Sequence, residues 1–103
     1  MEQRLKDKVA IVTGASRGIG RAIAVALAGE GCRLALAART RGDLSETAAL
    51  VEKLGAEALV VSTDIKEEGS IVRLVESVSG HFGRLDIVVN NAGITHAALL
   101  AET

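Results

Sequence analysis

Thr13-Gly14-Ala15-Ser16-Arg17-Gly18-Ile19-Gly20, or TGASRGIG, sets three glycines and one arginine between the apolar run Val9 to Val12 and an alanine-rich stretch that begins at Ala22. A buried strand that breaks on so much bare backbone needs a reason for the break. Each glycine has a mechanical role at this spacing: Gly14 allows a tight turn, Gly18 keeps side chains away from an approaching ligand, and Gly20 lets the following helix pack closely on the strand. The free amides at that helix start point at an anion, and the helix dipole adds to the attraction. A pyrophosphate fits this description. Glycines also end strands in ordinary loops, but here the strand before and the helix after supply the context that a dinucleotide fingerprint requires. A phosphate loop of the Walker A kind closes on Gly-Lys-Ser/Thr, whereas this loop closes on Gly-Ile-Gly-Arg.

Working outward, the hydrophobic periods alternate between two types. Val9 to Val12, Leu34 to Ala38, Leu59 to Val61 and Leu85 to Val89 are short unbroken apolar runs, as expected of strands covered on both faces. Between them lie helical stripes: Ile19, Ile23 and Leu27, closed by Gly29 and Gly31; Leu44, Ala48, Val51 and Leu54, capped by Asp43 and stopped by Gly55; and Ile71, Leu74, Val75, Val78 and Phe82, capped by Ser70 and stopped by Gly83. Strands thus alternate with helices, without repeats, low-complexity tracts or proline. The pattern predicts an α/β fold of Rossmann type: a parallel sheet of about four strands with right-handed crossovers and about three helices on its two faces.

Composition narrows the partners. Twelve basic residues against thirteen acidic ones give a net charge of −1, which supplies no field to draw the chain onto nucleic acid or an anionic membrane. No apolar run approaches the ~18 residues of a membrane span, and the charged start MEQRLKDKVA does not read as a secretory leader. Cys32 is the single cysteine, so there is neither a disulfide framework nor a metal-ligand cluster. It reads as a small core residue entering the second strand. The expectation is a cytoplasmic protein.

The glycine loop, together with Asn90-Asn91-Ala92-Gly93 after the fourth strand and Asp64 after the third, resembles the short-chain dehydrogenase/reductase family, with its TGxxxGxG and NNAG motifs. The similarity runs from about Lys8 to the last residue, and it is nearest in look to reductases of the 3-oxoacyl-acyl-carrier-protein type. The resemblance implies one partial dinucleotide-binding domain over residues 1–103, with strand order 3-2-1-4 and a nicotinamide dinucleotide as partner. It implies that Gly14, Ser16, Arg17, Gly18, Ile19 and Gly20 surround the phosphates and adenosine ribose. Asp64 and Ile65 would frame the adenine, while Asn91, Ala92 and Gly93 would lie beside the second ribose. Thr13 is expected to tie the glycine loop to the NNAG turn by a hydrogen bond.

Cofactor preference turns on the end of the second strand. An NAD binder usually carries an acid there for the ribose hydroxyls, whereas this chain reads Ala38-Arg39-Thr40-Arg41. Arg39 with Arg17 can clamp a 2′-phosphate, so NADP is expected over NAD. Arg41 reads as a solvated surface residue.

The family's catalytic serine, tyrosine and lysine all lie downstream of the NNAG motif. This chain contains no tyrosine and stops ten residues after Gly93, so no catalytic residue is assigned within it. His96 reads as an exposed loop histidine rather than a substitute acid. The expected identity is the NADP(H)-binding N-terminal part of such an enzyme. The alternatives are a stand-alone nucleotide-binding half-fold and an interaction module that pairs through its open sheet edge. In the 3-2-1-4 order the fourth strand becomes that edge, and self-association through it is expected.

Overall fold

The apolar run before the glycines forms the central strand β1 (Val9–Thr13), all five residues of which are buried. The computed structural model describes residues 4–39, 41–64, 66–67 and 69–91, with Arg41 described by its backbone only. After β1 come α1 (Gly18–Gly29), β2 (Arg33–Ala38), α2 (Arg41–Lys53), β3 (Ala58–Ser62), α3 (Ser70–Phe82) and β4 (Ile87–Asn90). The strands form one parallel sheet, as the alternation predicts, in the order β3-β2-β1-β4 that the family resemblance implies. No helix among the described residues is long and apolar enough to cross a membrane.

Side chains on a strand alternate between faces, and this sheet uses both. Ala10, Val12, Leu34 and Leu36 pack with Ala24 and Ala28 of α1 and with Leu44, Ala48 and Val51 of α2. Val9, Ile11, Ala35 and Ala37 point the other way, onto Leu74 and Val78 of α3. Ile11, Leu34 and Leu36 are fully buried, so shortening any of them to alanine costs about 2–5 kcal/mol. Cys32 belongs to the first cluster, and burial, ahead of the nearby Asp86 and Glu30 charges, pushes its thiol up from the usual range.

Register carries this architecture to the site. Thr13 lies between Ala37 on β2 and Asn90 on β4, so β1 and β4 end level and bring Gly14 and Asn91 side by side.

Several local expectations shift. The buried face of α1 is Gly20, Ala24 and Ala28, while Ile19 is 63% exposed and Ile23 and Leu27 pack at the flank of the core. A helix held this close to β1 has room for small residues only at its line of contact, which displaces the larger ones around its circumference. Helix α2 starts at Arg41, so Asp43 stands in its first turn, where a carboxylate still favours the dipole, rather than at the cap. Leu54 lies beyond the end of α2 and is half exposed.

The cap of α3 is Gly69, in a left-handed conformation with φ of 81°, so Ser70 becomes the first helical residue instead of the cap. Its hydroxyl is buried with no hydrogen-bond partner among the described residues. The fourth strand begins at Ile87 because the residue before it is already engaged. The Asp86 carboxylate accepts the Val9 amide at 2.9 Å and the Arg84 guanidinium at 2.8 and 3.0 Å, and the Asp86 amide donates to Val9 O.

Candidate functional site

The glycine loop and the Asn90-Asn91 pair meet at the carboxyl ends of β1 and β4, where ligands of open parallel sheets settle. Thr13 Oγ1 donates to Asn90 Oδ1 at 2.8 Å, so the expected tie is present. Asn91 Nδ2 adds a second tie by donating to Gly14 O at 3.2 Å. Gly14 and Gly18 have φ of 61° and 60°, the left-handed region that glycine enters without strain. A methyl group built at Gly20 would lie 1.9 Å from Gly14 O and 2.8 Å from Asn91 Nδ2. The third glycine therefore serves the approach of helix, loop and asparagine to one another.

Helix α1 opens without a side-chain cap and without an acid in its first turn, and Arg17, at its cap position, has extended backbone. Its first amides thus lack side-chain acceptors, the condition under which a helix N-terminus receives an external anion. The other side of the loop is closed, since the Ala15 amide donates to Ala37 O at 3.2 Å.

Arg17 and Ile19 are exposed and Ser16 is half-buried at the mouth of the loop. Arg39, just past β2, is exposed, and its carbonyl accepts the Ser62 hydroxyl at 3.0 Å. Among the described residues neither Arg17 nor Arg39 forms an ion pair. Asp64 follows β3 half-buried, and its Oδ1 accepts the Lys66 amide at 3.0 Å, which fixes the turn there. Ile65, Ala92, Gly93 and His96 lie outside the described residues, as does the side chain of Arg41.

One group at the loop has no forewarning in the sequence reading. Arg21 donates through Nε to Thr47 Oγ1 at 2.9 Å, and through Nη2 to Ser16 O, to Asp43 O at 3.1 Å and to Glu46 at 3.2 Å. Thr47 Oγ1 in turn lies 2.8 Å from Ala15 O, and the residue is fully buried. Only the position of Arg21 directly after Gly20 could have drawn attention to it. Thr47 reaches it through the packing of α2 beside α1.

One end of the sheet thus gathers an uncapped helix N-terminus, a loop without bulk and two guanidinium groups that, among the described residues, pair with no carboxylate. That donor set suits a diphosphate ligand.

Comparison with known proteins agrees with this geometry. A family model described as short chain dehydrogenase matches residues 8–103. The 7alpha-hydroxysteroid dehydrogenase of Clostridium sardiniense is 46% identical over 97 residues, which cover 94% of this chain and 37% of that protein. The structure of carveol dehydrogenase from Mycobacterium avium in complex with NAD matches with a TM-score of 0.83 at 36% identity, over 88% of this chain and 37% of the other. That of glucose dehydrogenase from Caenorhabditis elegans, in its apo form, matches with a TM-score of 0.80 at 37% identity, over 85% and 38%. The chain therefore spans somewhat over a third of the length of these relatives. With the glycine loop, the asparagine turn and the strand order all in agreement, the chain belongs to the short-chain dehydrogenase/reductase family.

Proposed function

We propose that this end of the sheet binds a nicotinamide dinucleotide, NADP(H) in preference to NAD(H), and that these 103 residues form the cofactor-holding, N-terminal part of an oxidoreductase acting on a carbonyl or alcohol. Gly14, Ser16, Arg17, Gly18, Ile19 and Gly20 would hold the phosphates and adenosine ribose, Asp64 and Ile65 the adenine, and Asn91, Ala92 and Gly93 the second ribose. The cradle fits that group: the Cβ-free approach at Gly20 keeps the loop low, and the uncapped α1 start leaves its amides to a phosphate. When bound, the nicotinamide supplies or accepts a hydride. The residues present here bind and orient it, and they include no tyrosine to serve as the family's proton donor.

The observation that carries the choice of NADP(H) is Arg39, exposed at the end of β2 and free of any ion pair among the described residues. A carboxylate there would repel a 2′-phosphate, whereas a guanidinium grips it through charge-assisted hydrogen bonds of about 1.5–3 kcal/mol each. Titration followed by dinucleotide fluorescence is expected to give NADPH at least tenfold tighter binding than NADH. Arg39→Ala should bring NADPH close to NADH and leave NADH unchanged. Equal affinities in the unaltered protein would overturn the preference.

A second reading concerns self-association. Strand β4 stands at the edge of the sheet with Val88 half exposed, beside an apolar groove lined by Ile11, Ile71, Leu74 and Val75. An open edge next to apolar surface favours pairing with a second copy of the chain. Light scattering should register a concentration-dependent dimer that Val88→Lys weakens. A monomer at high concentration would rule this out.

A further inference from the structure

We propose that Arg21 and Thr47 act as a peptide lock, which turns the amides of Ser16 and Arg17 outward and so positions the glycine loop for a phosphate. The proposal rests on the cofactor reading above and assigns to it two residues that touch no ligand.

In a planar trans peptide the carbonyl of one residue and the amide of the next point in opposite directions. Ala15 O is held on the α2 side by the Thr47 hydroxyl at 2.8 Å, and Ser16 O is held there by the Arg21 guanidinium. Both following amides, those of Ser16 and Arg17, must then point away from α2. Left unheld, these two peptides can rotate, because they belong to neither strand nor helix and the glycines on either side, both at positive φ, let the flanking backbone follow. A flipped peptide would present a carbonyl oxygen to the anion in place of an N–H.

The chemistry of the pair suits the task. Thr47 has one hydroxyl proton, and Arg21 Nε donates to the same oxygen at 2.9 Å; of the three carbonyls around the hydroxyl, Ala15 O at 2.8 Å is nearer than Ser16 O at 3.3 Å and Asp43 O at 3.4 Å and takes the proton. A cation donating into that hydroxyl polarises it and strengthens its own donation. The Arg21 guanidinium is spread over Thr47, Ser16, Asp43 and Glu46 and is itself spoken for, which leaves Arg17 and Arg39 as the cations at the mouth. Its bond to Asp43 O at 3.1 Å reaches the first turn of α2, a few residues after Arg39. One planar fork therefore sets both the loop and the start of α2, a geometry that a lysine ammonium does not reproduce.

The test compares the unaltered 103-residue protein with Thr47→Val, which keeps the shape and removes the hydroxyl, Thr47→Ser, which restores the hydroxyl, and Arg21→Lys, which keeps charge without the fork. NADPH and NADH affinities and amide exchange at Ser16 and Arg17 are measured well below each melting temperature. Thr47→Val and Arg21→Lys should each weaken both dinucleotides roughly tenfold, about 1.4 kcal/mol. They should also lose the protection that NADPH confers on the two amides. Thr47→Ser should restore both readouts. If Thr47→Val unfolds, Arg21→Lys carries the same expectation at the Ser16 carbonyl.

Unchanged affinity and protection in the folded variants, or no recovery in Thr47→Ser, would overturn the lock alone. An unaltered protein that binds neither dinucleotide would overturn the cofactor reading and the lock's role with it.

Discussion

Replacing Gly20 by alanine tests the central geometric claim, that helix α1, the glycine loop and Asn91 meet at a point with no space for one methyl group. The added carbon would stand 1.9 Å from Gly14 O, 2.7 Å from the Gly14 carbonyl carbon and 2.8 Å from Asn91 Nδ2. All three distances are well inside the ~3.5 Å of ordinary contact. Two of the atoms are backbone and cannot rotate aside. Overpacking of this kind costs about 1–3 kcal/mol, and a clash with backbone belongs at the upper end. Breaking the hydrogen bond from Asn91 to Gly14 adds about 1 kcal/mol. Alanine's better helix propensity returns about 1 kcal/mol.

The net loss is then about 3 kcal/mol, which for a chain of this size lowers Tm by about 12–24 °C. Thermal melts followed by far-UV circular dichroism measure it directly. Gly80→Ala is the control: it lies within α3 with nothing within 4 Å of the added carbon, and it should stabilise by up to about 1 kcal/mol. If Gly20→Ala melts within a few degrees of the unaltered protein, the close approach does not exist as described.

Two further outcomes follow from the electrostatics. The Arg84 fork, and after it the Val9 amide, hold the Asp86 carboxyl below the usual carboxylate range. The folded value lies below the unfolded one, so the stabilisation is complete above the unfolded value of about 3.9 and disappears as pH falls through the folded value. Urea midpoints should therefore drop with acidification in that window, and Asp86→Asn should flatten the drop; an identical acid profile in the variant would refute the assignment. The Cys32 thiol, fully buried and pushed up by burial, should resist a thiol-reactive disulfide reagent until the protein is unfolded by urea. Rapid labelling without denaturant would show that the core around it opens.

Much of the fold was legible because its physical causes are local. Val9 to Val12 and Leu34 to Ala38 are apolar without interruption, and only strands covered on both faces need that. Glycines at fixed offsets marked the loop, and asparagines marked the end of β4. The errors arose where a neighbouring element decides. Ile19, Ile23 and Leu27 have the spacing of a buried stripe, yet Gly20, Ala24 and Ala28 face the sheet because α1 lies too near β1 for larger groups. Ser70 has the chemistry of a cap, but the chain reaches α3 through Gly69 in a left-handed conformation, which moves the cap one residue back. Leu85 belongs to an apolar run that reads as strand, while Asp86 already binds the start of β1 through its side chain.

The sequence by itself determined the order of elements, the parallel sheet and the family, since each follows from residue type and motif at short spacing. The tertiary structure decided how those residues are held. Asn91 reaches Gly14 across 77 positions, and Thr47 reaches Ala15 across 32. Pairings so distant leave no periodicity to read, because they exist only once β4 lies beside β1 and α2 beside α1. The loop's composition makes it able to receive an anion; the contacts that fix its carbonyls come from helices and strands the motif does not contain.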